Sequence, residues 1–145
     1  MTLRALIAVA DGVEDLETVT LIDVLRRAEI EVVVASIETR RMITCARGVR
    51  LTADAMLNDV LAQEFDLIVL PGGMPGAQRL RMTCYPAFSD RLSGCTFVDQ
   101  PVVVDGNCIT AQGPASALDF ALQLVEQLAG PALRRNVAEA MLYRG

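Results

Sequence analysis

The residues best placed to do chemistry follow the first apolar run of the chain. Leu3 to Ala10 gives way at Asp11-Gly12, and three acids, Glu14, Asp15 and Glu17, open the next stretch. A carboxyl just past the end of a strand stands at the edge where open α/β sheets place their ligand crevice. The same acids also suit a helix N-terminus, where backbone N–H groups carry partial positive charge, so position alone leaves both roles open. Gly72 and Gly73 close another apolar run, Asp66 to Leu70. Lacking side chains, they would let a substrate approach backbone N–H groups able to hold a developing oxyanion, or they form an ordinary strand-to-loop turn.

The rest of the inventory excludes more than it offers. All thirteen basic residues are arginine, and there is no lysine and no histidine. A lysine Schiff base, a Walker phosphate loop, a Ser-His or Cys-His relay and a histidine-ligated metal are therefore ruled out. Cys45, Cys84, Cys95 and Cys108 lie 39, 11 and 13 residues apart, with no Cys-x-x-Cys pair, so no metal site is expected. The last three have no neighbouring base or cation in sequence to activate them, and packing is their expected role. A net charge of −5 with scattered arginines argues against a nucleic-acid surface.

These residues need a frame, and 145 residues at 52% apolar content suffice for one domain with a real core. Leu3 to Ala10 reads as a buried strand; its apolar core of six residues is short for a secretory signal, which has about 7 to 15. Glu14 to Ala28 reads as a helix, with acids at its start and Arg26 and Arg27 at its end. Ile30 to Ser36 is a second strand, completing a right-handed βαβ unit. A short hairpin is expected around Arg47-Gly48, then a helix capped by Asp54 and reaching about Ala62, then a third strand from Asp66 to Leu70. Near the end, Asp105-Gly106-Asn107 turns a hairpin between Pro101 to Val104 and Cys108 to Thr110. Helices follow from about Ala115 to Ala129 and over 131–142. The pattern is that of an α/β domain, largely parallel and covered on both faces. No run reaches the roughly 18 to 20 apolar residues of a membrane span, so a soluble cytoplasmic protein with reduced thiols is expected.

The middle departs from this order. From Met74 to Gln100, 27 residues carry no convincing amphipathic helix, only short extended pieces near Met82 to Cys84 and Cys95 to Val98. A structureless connection of that length is uncommon within a compact domain.

With the elements in order, the chain resembles the DJ-1/PfpI (ThiJ/PfpI) superfamily, most closely its YajL-like and DJ-1-like branch. The resemblance rests on four motifs: Gly12 to Val19 followed by Asp23 to Ala28; Cys45-Ala46-Arg47-Gly48-Val49; Leu70-Pro71-Gly72-Gly73 with Gly76-Ala77; and Gln112-Gly113-Pro114 followed by Asp119 to Leu122. It implies a flavodoxin-like sandwich, similar to class I glutamine amidotransferases, with a mostly parallel central sheet and helices on both faces. It also implies a cofactor-independent, cysteine-dependent glyoxalase or deglycase that acts on reactive dicarbonyls or glycated protein. Redox sensing or chaperone activity is implied as well, in a homodimer without membrane attachment.

Residue by residue, the resemblance makes Glu17 the acid that hydrogen-bonds the nucleophilic thiolate, and Gly73 an oxyanion donor. It puts Gly72, Arg27 and Arg47 near substrate or the dimer contact, and Cys45 near that contact as a redox candidate. Tyr85 stands where some relatives carry a histidine. The nucleophile elbow itself, with its flanking helices and strand, is missing between Arg81 and Met82. Either the chain truly lacks it, as a non-catalytic binding or chaperone dimer would, or the active polypeptide carries further residues there. The second is favoured, because losing a central strand would strand its neighbours' ladder groups, against a net stability of only about 5 to 15 kcal/mol. A phosphoacceptor domain is disfavoured, since Asp66 begins its strand and the lysine such domains use is absent.

Overall fold

The computed structural model describes residues 2–71, 81–91, 96–106 and 108–144. Its centre is a four-stranded, all-parallel sheet in the order β5-β2-β1-β6. β1 (Arg4–Val9) lies between β2 (Glu31–Ser36) and β6 (Leu67–Val69), with Ile7 opposite Val34 on one side and Val69 on the other. Both flanking strands bury apolar side chains against β1, which explains why its run is nearly unbroken by polar residues. α1 (Asp15–Arg27) makes the expected crossover from β1 to β2. It carries Asp15 and Glu17 in its first turn and Arg26 and Arg27 in its last, matching the macrodipole.

One face of the sheet is thickly covered. α1 packs on α3 (Ala117–Ala129), and α3 on α4 (Pro131–Ala140). Ile7, Leu21, Leu25, Leu122 and Val125 are all at most 1% exposed in this core. Burying a side chain of that size stabilises by roughly 1.5 to 3 kcal/mol. Gly130, at φ 88°, joins α3 to α4 in a conformation that a side chain would strain. The opposite face has a smaller cover: Leu6, Ala35 and Val60 pack with Val33, Ala55, Leu57 and Phe65. That cover does not reach β6, where Ile68 is 62% exposed.

The hairpin forms as expected from β3 (Met42–Thr44) and β4 (Arg50–Thr52), paired antiparallel. Asp54 corrects a local reading. Instead of capping a helix that runs to Ala62, it precedes β5 (Ala55–Met56), and α2 covers only Leu57–Val60 with no side-chain cap. The Asp54 carboxylate instead accepts the Val34 N–H at 2.9 Å and pairs with Arg26 at 3.2 Å. Those partners, 20 and 28 residues away, hold β5 in place at the sheet edge.

Within the irregular middle, β7 (Arg81–Met82) pairs in parallel with β8 (Thr96–Phe97), and a 3₁₀ helix spans Pro86–Arg91. Arg81 and Met82, the two sides of the suspected seam, are thus consecutive residues of one strand. β9 (Val102–Asp105) and β10 (Cys108–Ala111) form the second expected hairpin. The last helix ends at Ala140, and α3 is preceded by a 3₁₀ turn over Pro114–Ser116.

Candidate functional site

The carboxyl end of β1 gathers the acids. Asp11 accepts the Thr44 N–H at 2.9 Å on one oxygen and pairs with Arg40 at 2.6 Å through the other. Asp15 accepts the N–H groups of Arg47 and Val49 at 2.7 and 3.1 Å, so its carboxylate fastens the hairpin turn to the start of α1. Main-chain bonds from Gly12 N–H to Thr44 O and from Ala46 N–H to Val13 O, at 2.9 and 2.8 Å, complete the clamp. The charge of these two acids is therefore already spent on structure.

Glu17 differs from both. It is half-buried, and among the described residues nothing donates a hydrogen bond to its carboxyl. Burial, helped by the nearby Glu14 charge, raises its proton affinity above the ordinary value of 4.5. Thr18 beside it is fully buried and donates its hydroxyl to Glu14 O at 2.8 Å, which fixes this turn of the helix. The arrangement offers an acid whose proton is held more tightly than usual and which, among the described residues, has no hydrogen-bond partner. Such groups cluster at reactive centres.

The other sequence candidates separate in space. Arg47 sits on the hairpin turn clamped to the start of α1, at the same end of the sheet as Glu17. Arg27 is ten residues further along α1, about 15 Å by helical rise, and pairs with Asp23 at 2.7 Å. Cys45 lies beneath the hairpin, 4% exposed. Burial, then the charges of Asp15, Glu14 and Asp11, push its thiol up from 9.0. These surroundings disfavour a thiolate. Gly72 and Gly73 lie outside the described residues, as does Cys95.

A concavity of about 360 Å³ opens beside Gln112, Gly113 and Pro114. The Tyr85 ring leans over Gly113, 3.5 Å from where a β-carbon would stand. Asp119, on the rim, accepts the Tyr143 hydroxyl and so ties the tail beyond α4 to the start of α3. Sequence reasoning missed the roles of Asp11, Asp119 and Tyr143. Asp11 alone carried a local signal, its place directly after β1. Among the described residues no group of three or more His, Cys, Asp or Glu could hold a metal ion, and no helix is long and apolar enough to cross a membrane.

Comparison with known proteins agrees with this fold. The model of the DJ-1/PfpI family matches residues 3–82 and 77–127. The chain is 33% identical to Protein DJ-1 homolog B of Arabidopsis thaliana over 184 positions, covering 99% of this chain and 42% of that protein. It spans less than half of DJ-1 homolog A as well, 46%. The glutathione-independent glyoxalase DJR-1.2 of Caenorhabditis elegans is 29% identical over 161 positions, 83% of this chain and 86% of that one. The crystal structure of Drosophila melanogaster DJ-1beta superposes with a TM-score of 0.94 at 31% identity, covering all of both chains. The alignment of 184 positions exceeds the 145 residues here by about 40, and the two family-model matches overlap over residues 77–82.

Proposed function

Because this chain belongs to the DJ-1/PfpI family, we propose that its function is that of a stress-linked, cysteine-dependent glyoxalase or protein deglycase acting on reactive dicarbonyls or their early adducts. The nucleophilic cysteine is assigned to a segment of about 40 residues between Arg81 and Met82 in the active polypeptide, the excess seen in the alignment with the Arabidopsis relative. The observation that carries the reading is Glu17, a half-buried acid of raised proton affinity at the carboxyl end of β1, with nothing among the described residues donating to it. A protonated carboxyl there donates a hydrogen bond to a thiolate and so lowers the cost of ionising it.

In this reading the thiolate attacks the carbonyl carbon, the carbon–oxygen π pair moves to oxygen, and Glu17 transfers the proton. The Gly73 amide steadies the oxygen and Gly72 allows the close approach. Arg47, at the same end of the sheet as Glu17, suits an acidic product. The protein works in the cytoplasm as a homodimer without a cofactor. Its dimer contact is assigned to the outer side of α1 and the hairpin, where Leu16, Val19 and Val49 are 54%, 49% and 48% exposed.

The test combines intact mass with consumption of methylglyoxal. A natural polypeptide heavier than 15.6 kDa that consumes the dicarbonyl, and loses that activity in Glu17→Gln, bears out the reading. A 15.6 kDa chain that leaves methylglyoxal untouched overturns it. A second reading, a non-catalytic homodimeric binding or chaperone protein, is favoured by one feature: Arg81 and Met82 are successive residues of β7, both paired to β8.

A further inference from the structure

Two aspartates of the sequence are followed directly by glycine, in Asp11-Gly12 and Asp105-Gly106, and no asparagine is. Such a step is where a polypeptide can rearrange on itself, because glycine has no side chain to keep its nitrogen from the preceding carboxyl. The fold treats the two steps differently. Asp11 gives one oxygen to the Thr44 N–H at 2.9 Å and the other to Arg40 at 2.6 Å, and the Gly12 N–H donates to Thr44 O at 2.9 Å. Both reacting groups are thereby fastened to the first hairpin. The lowered proton affinity of Asp11 acts in the same direction, since ring closure expels water from the neutral acid.

Asp105-Gly106 stands instead at the tip of the β9–β10 hairpin. The ladder ends at the Asp105–Cys108 pair, so the Gly106 nitrogen lies one residue beyond the last ladder position. Gly106 is exposed at φ 61°, and nothing among the described residues stands within 4 Å of where its β-carbon would be. That open space leaves the main chain room to turn toward ring closure.

We propose that Asp105 is a site of spontaneous isomerisation to isoaspartate, and that the fold protects Asp11 from the same change. The Gly106 nitrogen attacks Asp105 Cγ; a carbon–nitrogen bond forms as a carbon–oxygen bond breaks, and the amide proton leaves with the carboxyl hydroxyl as water. A second water opens the cyclic imide at the α-carbonyl, so the chain then runs through the side-chain carbonyl and a free α-carboxylate remains. No electrons are gained or lost. The main chain becomes one carbon longer at the turn, and Asp105 and Cys108 lose their register. β10 leads to Gln112, whose N–H donates to Pro101 O at 3.0 Å and whose side chain donates to Asp99 at 2.8 Å, so the disturbance reaches the wall of the concavity. The new α-carboxylate is the group that a repair methyltransferase specific for isoaspartyl links esterifies. This change is independent of the activity proposed above.

The experiment ages the full natural chain in neutral buffer and, separately, in urea. Each sample is digested with an endoproteinase that cuts before aspartate but not before isoaspartate, and an isoaspartyl methyltransferase with a labelled methyl donor reports on each peptide. In urea both steps react. In the folded chain the 105–106 peptide accumulates isoaspartate, and the 11–12 peptide lags by about tenfold or more, because its hydrogen bonds must open first. Asp105→Glu requires a larger, slower ring closure and removes the 105–106 signal, with a thermal melt checking that the variant is folded. A folded chain that leaves Asp105 unchanged, or that reacts as fast at Asp11 as at Asp105, overturns the proposal.

Discussion

Asp11, two residues past the end of β1, takes the Thr44 N–H of the hairpin at 2.9 Å, and Arg40 reaches the same carboxylate at 2.6 Å. The Thr44 bond, and then the Arg40 guanidinium, hold this carboxyl below its ordinary value of 3.8. The folded chain therefore binds this proton less readily than the unfolded chain. Its stabilisation is complete above pH 3.8 and is lost as the pH falls through the lower folded value. Asp11→Asn should flatten that part of an acid-unfolding curve followed by circular dichroism. An unchanged acid limb would show that the clamp contributes nothing.

Glu17 has the opposite sign. Its folded value is raised, so the folded state keeps the proton longer, and stability declines as the pH rises through the window above 4.5. Glu17→Gln should be more stable than the parent at pH 7 and equal to it below pH 4.5, as read from denaturant midpoints. A variant less stable at pH 7 would mean that the carboxylate is held by a charge partner.

Thr83 is 2% exposed, and among the described residues its hydroxyl has no hydrogen-bond partner even though its own N–H donates to Thr110 Oγ1 at 2.9 Å. A buried polar group without a partner costs about 1 to 3 kcal/mol. Thr83→Val keeps the shape and removes that cost, so urea unfolding should show a gain of about 1 kcal/mol. A loss of similar size would reveal a partner for the hydroxyl in solution.

Tyr143 donates to the Asp119 carboxylate across 24 residues of sequence. That bond, then burial, raises its phenol above the ordinary 10.0. Hydrogen bonds to charged groups contribute about 1.5 to 3 kcal/mol, and Tyr143 is half-buried, so Tyr143→Phe should cost about 1.5 kcal/mol, the low end. Hydrogen exchange should locate the loss at the end of α4 and the start of α3. No change in protection there would detach the tail from the domain.

Much of the frame is legible in the sequence. β1, α1 and β2 announce themselves through apolar runs and through charges placed along the helix, because burial on both faces and the macrodipole act locally. Asp54 was misread for the opposite reason: its carboxylate serves Val34 and Arg26, and no spacing rule connects residues 20 and 28 apart. Glu17 was legible as an acid at a strand end, but its separateness from Asp11 and Asp15 was not. That follows from which carboxylates the hairpin engages, a matter of tertiary contact. The short β7 and β8 hold only two residues each, too few for period-two alternation to register.

The hairpin's clamp also governs how the thiol beneath it meets reagents. Cys45 looks out through a screen of negative potential from Asp11, Glu14 and Asp15, whereas half-buried Cys84 is raised by burial alone. An anionic disulfide reagent is thus repelled where a neutral alkylator is only sterically slowed. Loosening the screen with acid does not help the attack, because low pH also keeps sulfur protonated. Cys45 is consequently the thiol whose labelling reports that the hairpin has come away.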